Sequence, residues 1–501
     1  MSSVIEALSR WQRHAPDAVA LKETGTVLSY AELAAHVSDL AGRFVAENCR
    51  CIGILADNGI DWIVADLAAL ASGATVVPVP LFFSRSQLLH LLSAAPIDTL
   101  LVDNAVFTPP GFVRAPRSVG SLAMFRRTCS ELTSPPETAA VAKITFTSGS
   151  TGEPKGVCLS NLGLEQTSGR LSAVLRDLCI SQHLCVMPLA TLLENVAGVY
   201  VSILLGAAIN VLPLAEVGIG GSSSFNAEAL RKAIDRSGAQ SIILLPQTLK
   251  ELTSVALSSP WPECPLRFVA VGGACISEAD LDAATAAGIP AYQGYGLSEC
   301  NSVVALNRPG ASRRGSVGLP LPGVQIEAAE DGELLVRGPS MLGYLGELHV
   351  DGRAIHTGDL GHVDDDGFVY VAGRKKNLFI TSFGRNVSPE WPEAELLHQP
   401  AIAQAAVYGE GQPINTAIIV PSHAETSGRT IAAAIARANL ELPDYARVSE
   451  WIVADEPFTA ANGLLTATGK PRREAVLARY LSGSVGRTRQ DSPLIPLRNN
   501  L

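Results

Sequence analysis

The sequence has few charged residues, no cluster of basic residues and no cysteine motif of a metal or redox site. Charged residues make up 17% of the 501 residues, and no lysine- or arginine-rich block is present that could bind nucleic acid. The nine cysteines include no C-x-x-C pair, which argues against zinc-ribbon and thioredoxin-like sites. This cysteine usage favours packed, reduced thiols in a cytoplasmic protein.

No segment has the pattern of a membrane-spanning helix. The most apolar stretch, residues 68–83, is shorter than the roughly 20 residues that such a helix needs, and it contains two prolines. The N-terminal segment contains Glu6 and Asp17 and no long apolar core, so it does not have the pattern of a signal peptide. We therefore expect a protein without a transmembrane segment.

Apolar residues, by contrast, are plentiful at 47%, and the chain is longer than one core usually organises. Between residues 27 and 290, short apolar runs such as 51–55 and 241–246 alternate with longer segments such as 227–237. The longer segments have the three-to-four spacing of amphipathic helices. This alternation predicts an α/β fold of mainly parallel sheets with flanking helices.

The pattern changes after residue 310. Polar and apolar residues alternate around Asp-Gly turns in 323–346 and 362–374, which is typical of antiparallel hairpins. The acidic run 364–366 could bind a metal, but a hairpin turn is the better interpretation. A smaller α+β unit follows from Lys376. The predicted domains are 1–375 and 376–481, followed by a flexible tail over 482–501.

Residues 145–156, TFTSGSTGEPKG, have too little apolar side chain to belong to a core. Glycines let the backbone curl so that several N–H groups converge, hydroxyls add donors, and Lys155 adds a positive charge. Such a segment can hold phosphate groups, although it does not have the Walker A order. Taken alone, it could also be a flexible surface loop. The candidate phosphate-binding residues are Thr147, Ser148, Gly149, Ser150, Thr151, Gly152 and Lys155.

This segment and further motifs make the chain resemble the adenylate-forming superfamily over roughly residues 25–475. That family includes acyl-CoA synthetases, aryl-CoA ligases, luciferases and stand-alone adenylation domains. The resemblance implies a large N-terminal domain and a small, mobile α+β C-terminal domain. The other matching motifs follow in the family's order: LSYAEL at 28–33, YGLSE at 295–299, GEL through GP to GY at 332–344, HTGD at 356–359, GRKKN at 373–377 and TATGK at 466–470.

The resemblance implies a reaction in which a carboxylate attacks the α-phosphorus of ATP and expels pyrophosphate. The barrier to this attack is the repulsion between the negative carboxylate and the negative phosphates. The site therefore acts by positioning the reactants and by neutralising their charge. By resemblance, the 147–155 loop holds the β- and γ-phosphates, Glu299 binds Mg²⁺, and Ser298 contacts the α-phosphate. Ser298 and Glu299 are therefore candidate catalytic residues.

The same resemblance implies roles around the nucleoside and the reacting carboxylate. Tyr295 would lie along the adenine. Asp359 would accept hydrogen bonds from the ribose hydroxyls, with Arg374 nearby. Lys470 would bridge the attacking carboxylate and the α-phosphate, which makes it the third candidate catalytic residue.

The family is expected to rotate its small domain after the first step to admit a thiol. By resemblance, Lys376 lies at the domain hinge, and Gly384 lies where a pantetheine arm would pass close to the backbone. An ordinary turn is the alternative role for Gly384. The expected thiol is CoA or the phosphopantetheine of a carrier protein.

The acid is expected to bind along residues 187–198. Their frame P-L-x-x-x-x-E-x-x-A-G resembles long-chain acyl-CoA synthetases, although these commonly carry histidine where Thr191 stands. The stretch has no Phe-Asp pair of the kind that amino-acid-activating domains use, which favours a fatty or aryl acid. The leucines could equally be core residues. The predicted pocket residues are Thr191, Leu192, Glu194, Gly198, Gly272 and Gly273.

The leading hypothesis is an ATP- and Mg²⁺-dependent acid–thiol ligase that forms an acyl-adenylate and then an acyl-CoA thioester. A stand-alone adenylation enzyme that loads an acyl or amino acid onto a carrier-protein phosphopantetheine would have the same motifs and is the alternative. A nucleotide-binding regulator without catalysis is a third hypothesis, which the retained motif lysines and carboxylates disfavour.

Overall fold

A computed structural model of the chain describes residues 3–83, 85–103, 109–127, 141–147, 154–220, 225–273, 276–348, 354–382, 386–466, 469–481 and 490–491. Within these ranges no helix combines the length and the apolar character needed to cross a membrane.

Capping residues mark the ends of several helices. Ser29 and Glu32 form a reciprocal capping box at one helix start, and Asn226 caps another helix, which ends at Gly238 with φ 62°. The helices are α1 Ser3–His14, α2 Tyr30–Ala46, α3 Ile60–Ser72, α4 Arg85–Ala94, α5 Asn161–Leu175, α6 Val201–Leu205, α7 Ala227–Ser237, α8 Pro246–Ser258, α9 Glu278–Ala286, α10 Glu390–Leu397, α11 Gly428–Ala438 and α12 Arg473–Tyr480. A π-helical segment, Glu194–Tyr200, leads directly into α6.

Strands form at the short apolar runs and at the alternating segments. They are β1 Val19–Glu23, β2 Thr26–Ser29, β3 Cys51–Leu55, β4 Thr75–Pro78, β5 Thr99–Val102, β6 Phe112–Val119, β7 Leu122–Arg127, β8 Val141–Thr147, β9 Lys155–Ser160, β10 Gln182–Cys185, β11 Ala208–Val211, β12 Ser241–Leu244, β13 Phe268–Val271, β14 Ala291–Leu297, β15 Ser302–Leu306, β16 Leu319–Pro320, β17 Gln325–Ala328, β18 Glu333–Arg337, β19 Gly343–Tyr344, β20 Glu347–Leu348, β21 Ile355–Val363, β22 Val369–Arg374, β23 Phe379–Ile380, β24 Asn386–Val387, β25 Ile402–Tyr408, β26 Asn415–Pro421, β27 Val448–Val453 and β28 Gln490–Asp491.

Two nine-stranded sheets form the large N-terminal part. The first has the order β16-β15-β14-β13-β12-β10-β11-β1-β2, and its pairs from β14 through β1 are parallel. The second has the order β20-β19-β9-β8-β4-β3-β5-β7-β6, with a parallel centre of β8, β4, β3 and β5. Strand β3 is buried along its whole length because helices cover both faces of such sheets.

A third sheet, β17-β18-β21-β22, is antiparallel throughout. Its last hairpin turns at Asp364, whose carboxylate accepts from the backbone N–H groups of Asp366 and Phe368 at 3.1 and 2.9 Å. The interpretation of this acidic run as a hairpin turn is therefore confirmed.

The C-terminal part is an α+β unit with a four-stranded sheet, β25-β26-β27-β28, and helices α10 to α12. Residues 490–491 pair with β27, so these two residues of the predicted tail belong to this sheet. The rest of 482–501 lies outside the described residues. The predicted fold class, a large α/β part with antiparallel hairpins and a small α+β part, is confirmed.

Candidate active site

A cleft of about 2790 Å³ is lined by residues of the large sheets, the third sheet and the C-terminal part. Its volume exceeds the 300–1,000 Å³ typical of a site for one small ligand, so it has room for more than one substrate. The strand ends of β12, β13 and β14 open into it, and this edge of a parallel sheet commonly binds ligands.

The predicted phosphate loop connects two paired strand ends at this cleft. Strands β8 and β9 are antiparallel, with Thr147 opposite Lys155, and both residues line the cleft. The Lys155 ammonium lies 5.4 Å from the ring centre of Tyr344. The other predicted residues of this loop, Ser148, Gly149, Ser150, Thr151 and Gly152, lie outside the described residues.

Tyr344 also connects the loop lysine to Glu299. Its hydroxyl donates to Glu299 Oε1 at 3.0 Å, and burial, with Glu299 beside it, raises the pKa of Tyr344 to about 12. Glu299 follows Ser298 in a short 3₁₀ turn, and both residues line the cleft. The sequence interpretation included Gly343-Tyr344 in a motif but gave Tyr344 no role. Only the pairing of β19 with β9 places this tyrosine beside Lys155.

Asp359 is the buried carboxylate of the cleft. It is 4% exposed, its Oδ1 lies 2.8 Å from Arg374 Nε, and its Oδ2 accepts from the Tyr295 hydroxyl at 2.6 Å. The register of β21 and β22 places Asp359 directly opposite Arg374. Burial raises the pKa of Asp359, while Arg374 and Tyr295 act in the opposite direction. These three predicted residues therefore form one hydrogen-bonded group.

Lys470, from the C-terminal part, lines the same cleft as this group. Its backbone N–H donates to Thr466 Oγ1 at 3.0 Å, and its carbonyl accepts from Thr466 N–H at 2.7 Å, which closes a tight turn. Lys470 is exposed, yet desolvation by the surrounding walls of the cleft and then Arg374 lower its pKa, while Asp359 and Glu390 act in the opposite direction. Glu390, on α10, was not predicted from the sequence.

The chain leaves the third sheet at the predicted hinge. Lys375 pairs with Asp331 and Glu333 of that sheet's hairpin at 2.6 and 2.9 Å, which fixes it there. Lys376 follows at the cleft wall, and the next residue, Asn377, donates to Glu390 of the C-terminal part at 2.5 Å. The predicted thiol-channel residue Gly384 lies outside the described residues.

Four of the predicted acid-pocket residues line the cleft: Thr191, Leu192, Gly272 and Gly273. The Thr191 hydroxyl donates to the carbonyl of Pro188 at 2.6 Å. At Gly273, φ is +83°, a conformation that glycine adopts without strain.

Glu194 and Gly198 do not line the cleft, and their predicted contact with the acid is corrected. Glu194 is 0% exposed, accepts from His183 Nε2 at 2.9 Å, and accepts from the amides of Val186 and Met187 at 3.2 and 2.9 Å. A Cβ on Gly198 would overlap the Glu194 carboxylate. Both residues therefore lie behind the residues that line the pocket, and they support that wall by packing and hydrogen bonding.

We call the apolar part of the cleft wall the apolar chamber. Its lining residues belong to one hydrophobic cluster, contributed by α5, α6 and β13 among others. Apolar walls of this kind remove water without offering a partner to a charged group. The chamber residues are Leu171, Leu175, Ile180, Val201, Leu205 and Phe268.

The fold and the cleft define a two-part α/β protein with basic, acidic and apolar groups gathered around one large site. The model of the AMP-binding enzyme family matches residues 8–358, and the model of the AMP-binding enzyme C-terminal domain matches residues 376–483. The chain therefore belongs to the AMP-binding enzyme family.

Curated relatives include two kinds of ligase. A long-chain-fatty-acid–CoA ligase of Mycobacterium bovis, FadD15, is 34% identical over 226 residues, which cover 39% of this chain and 38% of the relative. The match thus spans less than half of that relative's length. A 2-succinylbenzoate–CoA ligase of Bacillus cereus is 29% identical over 409 residues, which cover 76% of this chain and 78% of the relative.

Solved structures share the fold. The o-succinylbenzoate CoA synthetase of Bacillus subtilis, in complex with its acyl-adenylate intermediate, has a TM-score of 0.75 at 23% identity, covering 93% of this chain and 97% of that one. An anthranilate CoA ligase in complex with anthranoyl-AMP has a TM-score of 0.79 at 19% identity, covering 95% and 98%. At these identities the likeness extends to the fold alone.

Proposed function

We propose that the protein is an ATP-dependent carboxylic acid–thiol ligase that forms an acyl-adenylate and then an acyl-CoA thioester. One observation carries the proposal: Lys470 of the C-terminal part lines the same cleft as Asp359 and Arg374 of the large part. This arrangement puts a cation in the same cleft as a candidate ribose-binding carboxylate, as activation of an acid on the α-phosphate requires.

In the first step, an oxygen of the carboxylate forms a bond to the α-phosphorus of ATP. The bond between that phosphorus and the oxygen that bridges to the β-phosphate breaks, and pyrophosphate leaves. Lys470 neutralises charge between the carboxylate and the α-phosphate, where crowding is greatest. Lys155 and Thr147, with the rest of the 147–155 loop, hold the departing phosphates, and Ser298 contacts the α-phosphate.

Asp359 and Tyr295 position the nucleoside in this proposal. The Asp359 carboxylate accepts from the ribose hydroxyls and is itself oriented by Arg374 and by the Tyr295 hydroxyl. The ring of Tyr295 lies along the adenine. Pre-orientation of this kind reduces the entropy that is lost when the reacting groups meet.

Glu299 fits the requirement for a Mg²⁺ ligand. It lines the cleft, and Tyr344 occupies only one side of its carboxylate, through Oε1. Hard divalent cations prefer carboxylate oxygens, and Mg²⁺ usually binds through one or two carboxylates together with substrate phosphates. When bound there, the ion would neutralise phosphate charge.

In the second step, a thiolate sulfur forms a bond to the carbonyl carbon of the acyl-adenylate. The bond between that carbon and the phosphate oxygen of AMP breaks, and AMP leaves. Residues 1–375 act as the ATP- and acid-binding domain, 376–481 as a lid that carries Lys470, and 482–501 as a tail. Rotation at Lys376, next to the anchored Lys375, would open a path for the thiol past Gly384.

The apolar chamber supports an acid with an uncharged tail, either alkyl or aryl. The second carboxylate of a substrate such as 2-succinylbenzoate would lose hydration against walls such as Leu171 and Phe268, and the chamber residues include no lysine or arginine to pair it. Thr191, Leu192, Gly272 and Gly273 would surround the reacting end of the acid.

The test is pyrophosphate release with ATP, Mg²⁺ and a panel of acids: octanoate, dodecanoate, palmitate, benzoate, anthranilate, 2-succinylbenzoate and several amino acids. Acid-dependent release with a monocarboxylic alkyl or aryl acid is expected, and failure with every acid would overturn the proposal. Mass spectrometry of reactions with CoA and with a phosphopantetheinylated carrier protein identifies the acceptor. A thioester on the carrier protein alone would favour the stand-alone adenylation enzyme.

A further inference from the structure

A fully buried polar network lies outside the residues that line the cleft. Lys143 of β8 and Asp66 of α3 form an ion pair at 2.7 Å, with side chains 0% and 1% exposed. Lys143 also donates to Asn195 Oδ1 and, at 3.0 Å, to the hydroxyl of Tyr200. Asn195 and Tyr200 in turn donate to Asp66 Oδ2 at 3.0 and 2.7 Å.

The network is internally complete. Each of the three Lys143 protons has an acceptor, and both Asp66 oxygens accept hydrogen bonds. A complete network of buried charges rigidifies the elements it joins, because any displacement would leave a charge unpaired in a low-dielectric interior. The elements joined here are β8, which ends at Thr147, helix α3, and the π-helical segment 194–200.

The π-helical turn is what allows two residues of one helix to reach this ion pair. In an α-helix of about 3.6 residues per turn, Asn195 and Tyr200 would point about 140° apart. The wider i→i+5 turn rotates them toward a common side, where both contact Lys143 and Asp66. The turn also places Ala197 at the cleft. Thr191, Leu192 and Leu193, which precede the turn, line the same wall.

We propose that Asn195 and Tyr200 are positioning residues that hold the π-helical wall of the acid pocket on the buried Lys143–Asp66 pair. Neither residue lines the cleft, so they act through Leu193 and Ala197, which do. The inference rests on the proposed function for its substrate, an acid bound against this wall.

The test compares Tyr200→Phe with Tyr30→Phe. Tyr30 is a matched control because it is equally buried, 1% exposed, and its hydroxyl donates to the carbonyl of Ala207 at 3.0 Å away from the cleft. Tyr200→Phe leaves two buried charges each short of one hydrogen bond, whereas Tyr30→Phe leaves one carbonyl short, so the larger decrease in melting temperature is expected in Tyr200→Phe. Tyr200→Phe is expected to raise the KM for the acid about fivefold, with the KM for ATP unchanged.

Two kinetic outcomes would overturn the proposal. One is an equal KM for the acid in Tyr200→Phe and Tyr30→Phe, because the network would then be ordinary core. The other is a parallel rise in both KM values of Tyr200→Phe, because the effect would then not be confined to the acid wall. The acid used is the one with the lowest KM for the unmodified protein.

Amide hydrogen exchange of peptides covering 191–205 separates this inference from the proposed function, because exchange needs no turnover. Tyr200→Phe is expected to exchange faster than the unmodified protein in this segment, and Tyr30→Phe is not. If no acid supports pyrophosphate release, the proposed function fails, and exchange alone decides the positioning role. Unchanged exchange in Tyr200→Phe would refute it.

Discussion

At the scale of single residues, the proposal depends most on Lys470. Replacement by alanine removes a positive charge from the cleft that Asp359 and Arg374 also line, and it leaves the phosphate loop unchanged in sequence. We expect Lys470→Ala to slow acid-dependent pyrophosphate release by about 10²-fold or more, the usual effect of losing one transition-state donor. ATP affinity, measured by titration calorimetry, should change little. Lys232→Ala, an exposed lysine of α7, is the control, and an unchanged rate in Lys470→Ala would refute the assigned role.

The pKa of Lys470 gives a second prediction. Desolvation by the walls of the cleft and Arg374 lower this pKa, so the ammonium loses its proton at a lower pH than a lysine in free solution does. The kcat/KM for the acid should therefore fall on the alkaline side as the charge is lost. The arginine of Lys470→Arg keeps its charge at alkaline pH, so the fall in kcat/KM should move to higher pH. This shift is expected whether or not the maximal kcat/KM changes. An alkaline fall at the same pH in both proteins would show that another group controls it.

At the scale of elements, apolar patterning predicted most strands and helices but not their exact ends. The run 184–189 has the character of a strand, yet β10 ends at Cys185. The amides of Val186 and Met187 donate to Glu194 instead of to a neighbouring strand. Periodicity cannot predict this end, because it depends on a carboxylate that folds back from a later π-helical turn.

That turn gives an element-scale prediction at Gly198. A Cβ there would overlap the Glu194 carboxylate and lie 2.8 Å from His183 Nε2, so Gly198→Ala should destabilise the fold by about 1–3 kcal/mol. Gly169→Ala is the matched control, since Gly169 lies inside α5 and its Cβ would meet nothing within 4 Å. It should be neutral or stabilising by about 0.5–1 kcal/mol. Thermal and urea unfolding measure both, and equal stabilities would contradict the support role of Gly198.

At the scale of the whole molecule, the motifs predicted which residues gather but not every contact among them. Asp359 and Arg374 meet as the family resemblance implied, and Tyr295 donates to Asp359, a contact that the resemblance did not imply. Tyr344 and Glu390 could not be found in the same way, because their places depend on the pairing of short strands and on how the C-terminal part is docked. Local sequence carries little information about such long-range contacts.

This docking depends on few polar contacts within the described residues. His398 Nδ1 donates to Asp280 Oδ1 of α9 at 3.0 Å, and Lys250 of α8 donates to the carbonyl of Leu397. Both contacts join the end of α10 to the large part, in the arrangement that brings Lys470 into the cleft. Interfaces between the domains of one chain usually permit relative motion of the parts they join.

The last prediction concerns this docking. His398→Ala removes one partly exposed pair, worth up to about 1 kcal/mol, so the equilibrium constant for docking should fall by up to about fivefold. In single-turnover experiments, we expect acyl-adenylate formation to slow by two- to fivefold, roughly in that proportion. Thioester formation from preformed acyl-adenylate should be unaffected, because it needs a different arrangement. His423→Ala, an exposed histidine of the same part, is the control, and equal slowing of both steps in His398→Ala would contradict a role in docking.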